Sequence, residues 1–211
     1  MLKNNFISFL FVIVLIFCFF GCEPDPDPED SFSLNIQFTH LVDGQEIVYG
    51  NDNMLYVNES GNKYSIRRLL YVLSDIVLYF ENEERALNDF IFVNTDDTET
   101  LNYNIENLPS LCLGIRFRLG FSDAKNIDNE YLNSSNNFHN AMVWPNLNGT
   151  NLAFQGGYHY MKLEGKWLDE TTGVEKFEAF YNTHTGPTND EDFSLQYPLF
   201  VFNPSSTISI N

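Results

Sequence analysis

Leu111-Cys112-Leu113-Gly114-Ile115-Arg116-Phe117-Arg118-Leu119-Gly120-Phe121 alternates large apolar residues with small or charged ones over its whole length. Leu111, Leu113, Ile115, Phe117, Leu119 and Phe121 fall on one face, and Cys112, Gly114, Arg116, Arg118 and Gly120 on the other. A period of two is the mark of a strand with one face on a core. The same pattern recurs in Phe32–Phe38 and Tyr158–Trp167. Shorter apolar runs at Ile76–Phe80, Phe90–Val93, Leu101–Ile105, Phe177–Tyr181 and Phe193–Phe202 are further strand candidates. Turn-rich stretches separate them, at Gly50–Asn53, Asn94–Thr100 and Asn146–Asn151. Only Tyr64–Ser74 hints at a helix, through Ile66, Leu69, Leu70 and Leu73. Strands do not alternate with long helices, so a doubly wound sheet is excluded. The expected fold is all-β, an antiparallel β-sandwich with at most one or two short helices.

The 211 residues carry 11 Lys plus Arg against 29 Asp plus Glu, a formal charge of −18. No basic stripe is available to meet phosphates, so nucleic acid is excluded as a partner. With 44% hydrophobic and 16% aromatic residues, the chain has the apolar surface a folded core needs.

The N-terminus reads as an address. Lys3 precedes Phe6–Phe20, a run of 15 residues interrupted only by Ser8, and Gly21-Cys22 follows. The run is shorter than the roughly 20 residues of a membrane-spanning helix and has the layout of a secretory signal. It resembles a bacterial lipoprotein signal over residues 1–21, with Cys22 as the lipidated residue. The alternative is an uncleaved anchor. Residues 22–31, with Pro24, Pro26 and Pro28 set among Asp and Glu, form an acidic extended tether. The domain is expected at 32–211, outside the cytoplasm and attached to membrane only through lipid. Cys112 then has no disulfide partner in the chain. The sequence stops at Ile208-Ser209-Ile210-Asn211, in what reads as the start of a strand, so the domain looks C-terminally short.

Four histidines are present: His40, His139, His159 and His184. His40 has the parity of Leu34, Ile36 and Phe38. His159 has that of Met161 and Leu163, and His184 closes the run from Phe177 ahead of Thr185-Gly186-Pro187. His139 lies in a polar loop. Any one histidine reads most simply as a hydrogen-bonded core or rim residue. Three on apolar faces or strand ends point instead to imidazole ligation of a transition metal, with Met142 and Met161 as soft donors. No His-x-x-x-His, His-Glu-x-x-His or Cys-x-x-Cys pair occurs, so such a site must join distant segments.

Several blocks occur in a recognisable order: Phe38-Thr39-His40-Leu41-Val42-Asp43-Gly44, Asn58–Ile66, Leu70–Ile76, Met142-Val143-Trp144-Pro145, Gly156-Gly157-Tyr158-His159-Tyr160-Met161-Lys162-Leu163-Glu164-Gly165 and His184-Thr185-Gly186. Together they resemble the MbnP-like copper-binding protein family over most of residues 34–203. The resemblance implies a mainly β domain that binds copper outside the cytoplasm; with the lipid anchor, the expected place is the cell envelope, at the outer membrane on its periplasmic or surface face. Carried over by motif, His40 and His184 are the metal ligands and His159 a third. It further implies that Trp144 corresponds to a tryptophan oxidised to kynurenine in some members, by a di-haem partner of the cytochrome-c-peroxidase type. Many members carry Trp-x-Trp where this chain has Trp144-Pro145-Asn146. The bland reading of Trp144 is a loop-anchoring aromatic.

Other chemistry is not supported. Gly120-Phe121-Ser122-Asp123-Ala124 lacks the helix a nucleophile elbow needs. Asp96-Asp97-Thr98-Glu99 and Asp190-Glu191-Asp192 lack calcium-loop spacing. No carboxylate pair or nucleophile with its base can be placed, so no catalytic residue is assigned and the expectation is a non-enzymatic copper-handling lipoprotein. The rival is a lipid-tethered carbohydrate-binding or assembly module. That reading requires solvent-facing aromatics and histidines buried apart.

Overall fold

A long strand, β5 (Lys63–Tyr79), organises the molecule. The computed structural model describes residues 31–50, 53–146, 156–169, 177–189 and 191–211. The proposed leader, Cys22 and nearly all of the tether lie outside the described residues.

The other strands are β1 (Phe32–Phe38), β2 (Leu41–Val42), β3 (Gln45–Glu46), β4 (Tyr56–Val57), β6 (Glu84–Ala86), β7 (Ile91–Asn94), β8 (Asn102–Leu108) and β9 (Cys112–Leu119). After these come β10 (Met161–Asp169), β11 (Phe177–Thr185), β12 (Leu195–Gln196), β13 (Phe200–Ser205) and β14 (Thr207–Ile210). The one α-helix among the described residues is α1 (Phe138–Met142). One sheet has the order β14-β1-β8. The larger one runs β11-β10-β5-β9-β12, with β13 also on β9 and β4, β6 and β7 on β5. The fold is all-β, as expected. One pairing departs from antiparallel: β14 runs parallel to β1, with Asn35 opposite Thr207 and Phe38 opposite Ile210.

The helical hint at Tyr64–Ser74 is corrected to the middle of β5. Leu70 and Val72 enter one core, with Phe92, Phe121, Phe138, Met142 and Tyr158. Leu73, Ile76 and Leu78 enter the other, with Leu34, Ile36, Phe38 and Ile115. A strand buried on both faces loses its alternation. Asp75 adds to this with a left-handed φ of 49°, at the register shift between Ser74 and Val77. The bulge reverses parity, so Leu73 and Ile76 share a face although three residues apart. In sequence, that superposition imitates a helix.

Other boundaries moved less. Ile76–Phe80 is the end of β5, and Phe193–Phe202 divides into β12 and β13. Among the described residues no helix is long and apolar enough to cross a membrane.

Candidate metal centre

The block Gly156–Gly165 enters the site through a bend. Gly156 and Gly157 have φ of 91° and 82°, a conformation that L side chains rarely adopt. The Gly157 amide donates to Asp128 Oδ1 at 2.6 Å and the Tyr158 amide to Asn126 Oδ1 at 2.7 Å. Added β-carbons here would strike the Asp128 and Asn126 side chains. The chain then runs beside the exit of α1: the Trp144 amide donates to the Gly157 carbonyl at 2.9 Å and the His159 amide to the Met142 carbonyl at 2.7 Å. β10 begins only at Met161.

His159 packs edge-on to His184, with ring centres 5.0 Å apart and planes at 87°. The Trp144 ring lies 4.6 Å from His159 at 84°. Gly186 lies flat against the indole, where a β-carbon would come within 2.6 Å of the ring. The site thus draws on the α1 exit, the bend before β10 and the end of β11.

Each imidazole is oriented by a partner of its own. His159 Nδ1 lies 3.0 Å from the Met142 carbonyl, which only accepts, so Nδ1 carries the proton and Nε2 keeps its lone pair. His184 Nε2 lies 2.9 Å from Glu164 Oε1, so Nε2–H donates to the carboxylate and Nδ1 stays available. Such outer partners fix ligand tautomers in metal sites. Burial holds the His159 pKa down at about 4 despite the Met142 carbonyl, and the ring is neutral at pH 7.

Glu164 is anchored in turn. Arg68 Nε donates to its Oε2 at 2.6 Å, and Lys162 Nζ lies 3.8 Å from Oε1. Burial would raise its pKa, but hydrogen bonds from Arg68 and His184 outweigh this and keep it below the usual value. Lys162 donates to the Ala141 carbonyl at 3.1 Å, tying β10 to α1, and burial lowers its pKa.

His40 stands elsewhere. His184 is in register with Lys162, and Lys162 with Leu70, so these three share one face of the larger sheet. His40 Nε2 bonds the Tyr71 hydroxyl at 3.1 Å, and Tyr71 is in register with Met161 on the opposite face. The structure therefore brings together His159, His184 and Trp144, with His40 across the sheet. Contrary to its parity, His159 does not share the Met161 face: the bend at Gly156–Tyr160 turns it to the side where His184 lies. Met161 borders a cavity with His40, and Met142 offers His159 its carbonyl while its side chain enters the second core. His139 bonds the Tyr158 hydroxyl at 3.0 Å on α1. Among the described residues no group of three or more His, Cys, Asp or Glu is placed to hold a metal. Glu164, Arg68 and Lys162 were not anticipated, although Lys162 and Glu164 alternate along β10 on the side that meets His184.

These positions coincide with the motif blocks, and the family model for MbnP matches residues 31–211. The chain belongs to the MbnP family. No curated protein and no solved structure matches it. The MbnP match takes in every described strand, the Trp144–His159–His184 cluster and the His40 face alike.

Proposed function

We propose that this MbnP-family chain captures copper through His159 Nε2 and His184 Nδ1, as a non-enzymatic lipoprotein of the cell envelope anchored through Cys22. The observation that carries the reading is the perpendicular approach of two imidazoles, each with its other nitrogen already engaged. This donor set fits copper, for which imidazole is a suitable ligand. The chain's own groups orient the rings, hold Glu164 ionised and keep Trp144 against His159. Copper, when bound, supplies the Lewis-acid centre that the two lone pairs satisfy.

In this reading an oxidised Trp144 would add an oxygen or amine donor beside His159, and the 4.6 Å separation of the two rings supports it. A di-haem partner of the cytochrome-c-peroxidase type, at the outer membrane, is the source of that oxidation in this reading. His40 is assigned no part in the metal site.

The test is competition of the purified full chain with a chromophoric Cu(I) chelator, repeated with Cu(II). One copper per chain is expected, lost in H159A and H184A and retained in H40A. Retention in the double variant H159A/H184A would end the proposal. Intact mass of protein made beside its native partner reads out any change at Trp144.

A further inference from the structure

On the other face of β5 the two sheets do not close completely. A cavity of about 430 Å³ lies between them. Leu73 of β5, Ile115 and Phe117 of β9 and Ile208 of β14 form its apolar walls, and Phe200 of β13 stands at its border, 44% exposed. The cavity is partly open to solvent, so a small molecule can enter it, and its walls are core side chains. Its volume falls in the range of small-molecule sites, which are mostly apolar with a few placed polar groups.

The polar groups here include a prepared pair. His40 and Tyr71 both border the cavity and bond each other at 3.1 Å. A tyrosine hydroxyl bonded to an imidazole can still accept or donate one further hydrogen bond. Tyr49 stands edge-on to His40 at 6.0 Å, and its buried hydroxyl has no hydrogen-bond partner among the described residues. Among the described residues no Asp, Glu, Lys or Arg side chain lines the cavity. A charged head group entering it would be buried without a counter-ion, which is costly, whereas a carbonyl or hydroxyl would be satisfied by the pair.

We infer that this cavity binds an uncharged small molecule with an aryl or alkyl body and a single ketone or hydroxyl head, the head seated at His40 and Tyr71 and the body between Leu73, Phe117 and Ile208. Phe117 and Phe200, stacked at 5.8 Å with planes 19° apart, supply a flat wall suited to an aryl body. The site is separate from the imidazole pair, since it opens on the opposite sheet face. Burial holds the His40 pKa down, in keeping with an uncharged occupant.

The probe is benzophenone, an uncharged aryl ketone that inserts into nearby C–H bonds under light. The full chain is irradiated over a concentration series, and the labelled peptides are identified by mass spectrometry. Saturable labelling is expected on peptides carrying Leu73, Ile115 or Ile208, with excess 2-undecanone protecting. The anionic sibling 4-benzoylbenzoate is expected not to label there, and equal labelling by it overturns the uncharged-head assignment. Tyr71→Phe should weaken benzophenone binding by about tenfold, the value of one lost hydrogen bond near the upper end of the usual range. Unchanged affinity overturns the head position. Leu73→Trp and Ile208→Trp each fill the space. Whichever is folded by circular dichroism must lose the label, and a folded filled variant that keeps it overturns the site. Unsaturable labelling spread over exposed Phe180 or Val201 does the same. Copper stoichiometry, measured in parallel, should be the same in Tyr71→Phe as in the native chain, which separates this site from the metal centre.

Discussion

Burying His159 against the Met142 carbonyl holds its pKa at about 4, below the ordinary 6.5, so the unfolded chain binds a proton that the folded chain refuses. Its contribution to stability is complete above about pH 6.5 and is lost progressively as pH falls toward 4. The span corresponds to roughly 3 kcal/mol at most. Urea unfolding midpoints measured from pH 7 to pH 4 should fall less steeply in H159Q than in the native chain, since the amide does not titrate. Parallel curves would show that His159 carries none of this dependence. Glu164 acts on the site through His184. In E164Q the neutral amide no longer favours Nε2–H as strongly, and Arg68 loses the nearer of its two carboxylates, keeping Asp96 at 3.5 Å. Copper affinity should drop by about 10- to 100-fold, the usual cost of removing an outer-shell partner. Chelator competition at pH 7 reads this directly, with the H184A stoichiometry as the reference for complete loss.

The bend before β10 and the end of β11 convert these residue properties into a site. The Tyr160 amide joins them by donating to the Thr185 carbonyl at 2.7 Å, and Gly186 just beyond lies flat against Trp144 of the α1 exit. G186A must displace the indole, so the Trp144 contribution to near-ultraviolet circular dichroism should change and the unfolding free energy should fall by about 1–3 kcal/mol, the usual penalty for overpacking. An unaltered spectrum would mean that Trp144 is not held by this contact. The elements whose sequence was easiest to read are those with one buried face. Phe32–Phe38 was anticipated to the residue because Leu34, Ile36 and Phe38 are buried while Ser33, Asn35 and Gln37 are not. β5 was misread because both its faces are buried and Asp75 resets its parity. His159 was assigned to the Met161 face because alternation was carried back through Gly156–Tyr160, where the backbone turns. His184 and Trp144 were legible from motif order. The Glu164–Arg68 support was not, since it depends on register between β10 and β5, which no local pattern states.

Two faces of one long strand divide the molecule, with the imidazole pair on one side of β5 and the inter-sheet cavity on the other. Only the cavity side depends on β14. Ile208 and Ile210 pack onto the first core, and the β1 edge is closed by Asn35 N–H to the Ser206 carbonyl at 2.8 Å and Thr39 N–H to the Ile210 carbonyl at 2.9 Å. Removing residues 207–211 leaves the β1 edge open from Gln37 onward and uncovers one cavity wall. The lost isoleucine burial amounts to roughly 3 kcal/mol, because neither side chain is fully buried. For a domain of this size that corresponds to a fall in Tm of about 10 °C. An open edge beside apolar surface also favours strand-to-strand association, so the shortened chain should self-associate at concentrations where the full one does not. Below its lowered Tm it should still bind one copper, because His159, His184 and Trp144 draw nothing from β14. Benzophenone labelling should fail in the same sample. Loss of both activities at a temperature where circular dichroism shows a folded chain would mean that the two faces are coupled through β5, contrary to the separation seen between the Leu70 and Tyr71 sides of that strand.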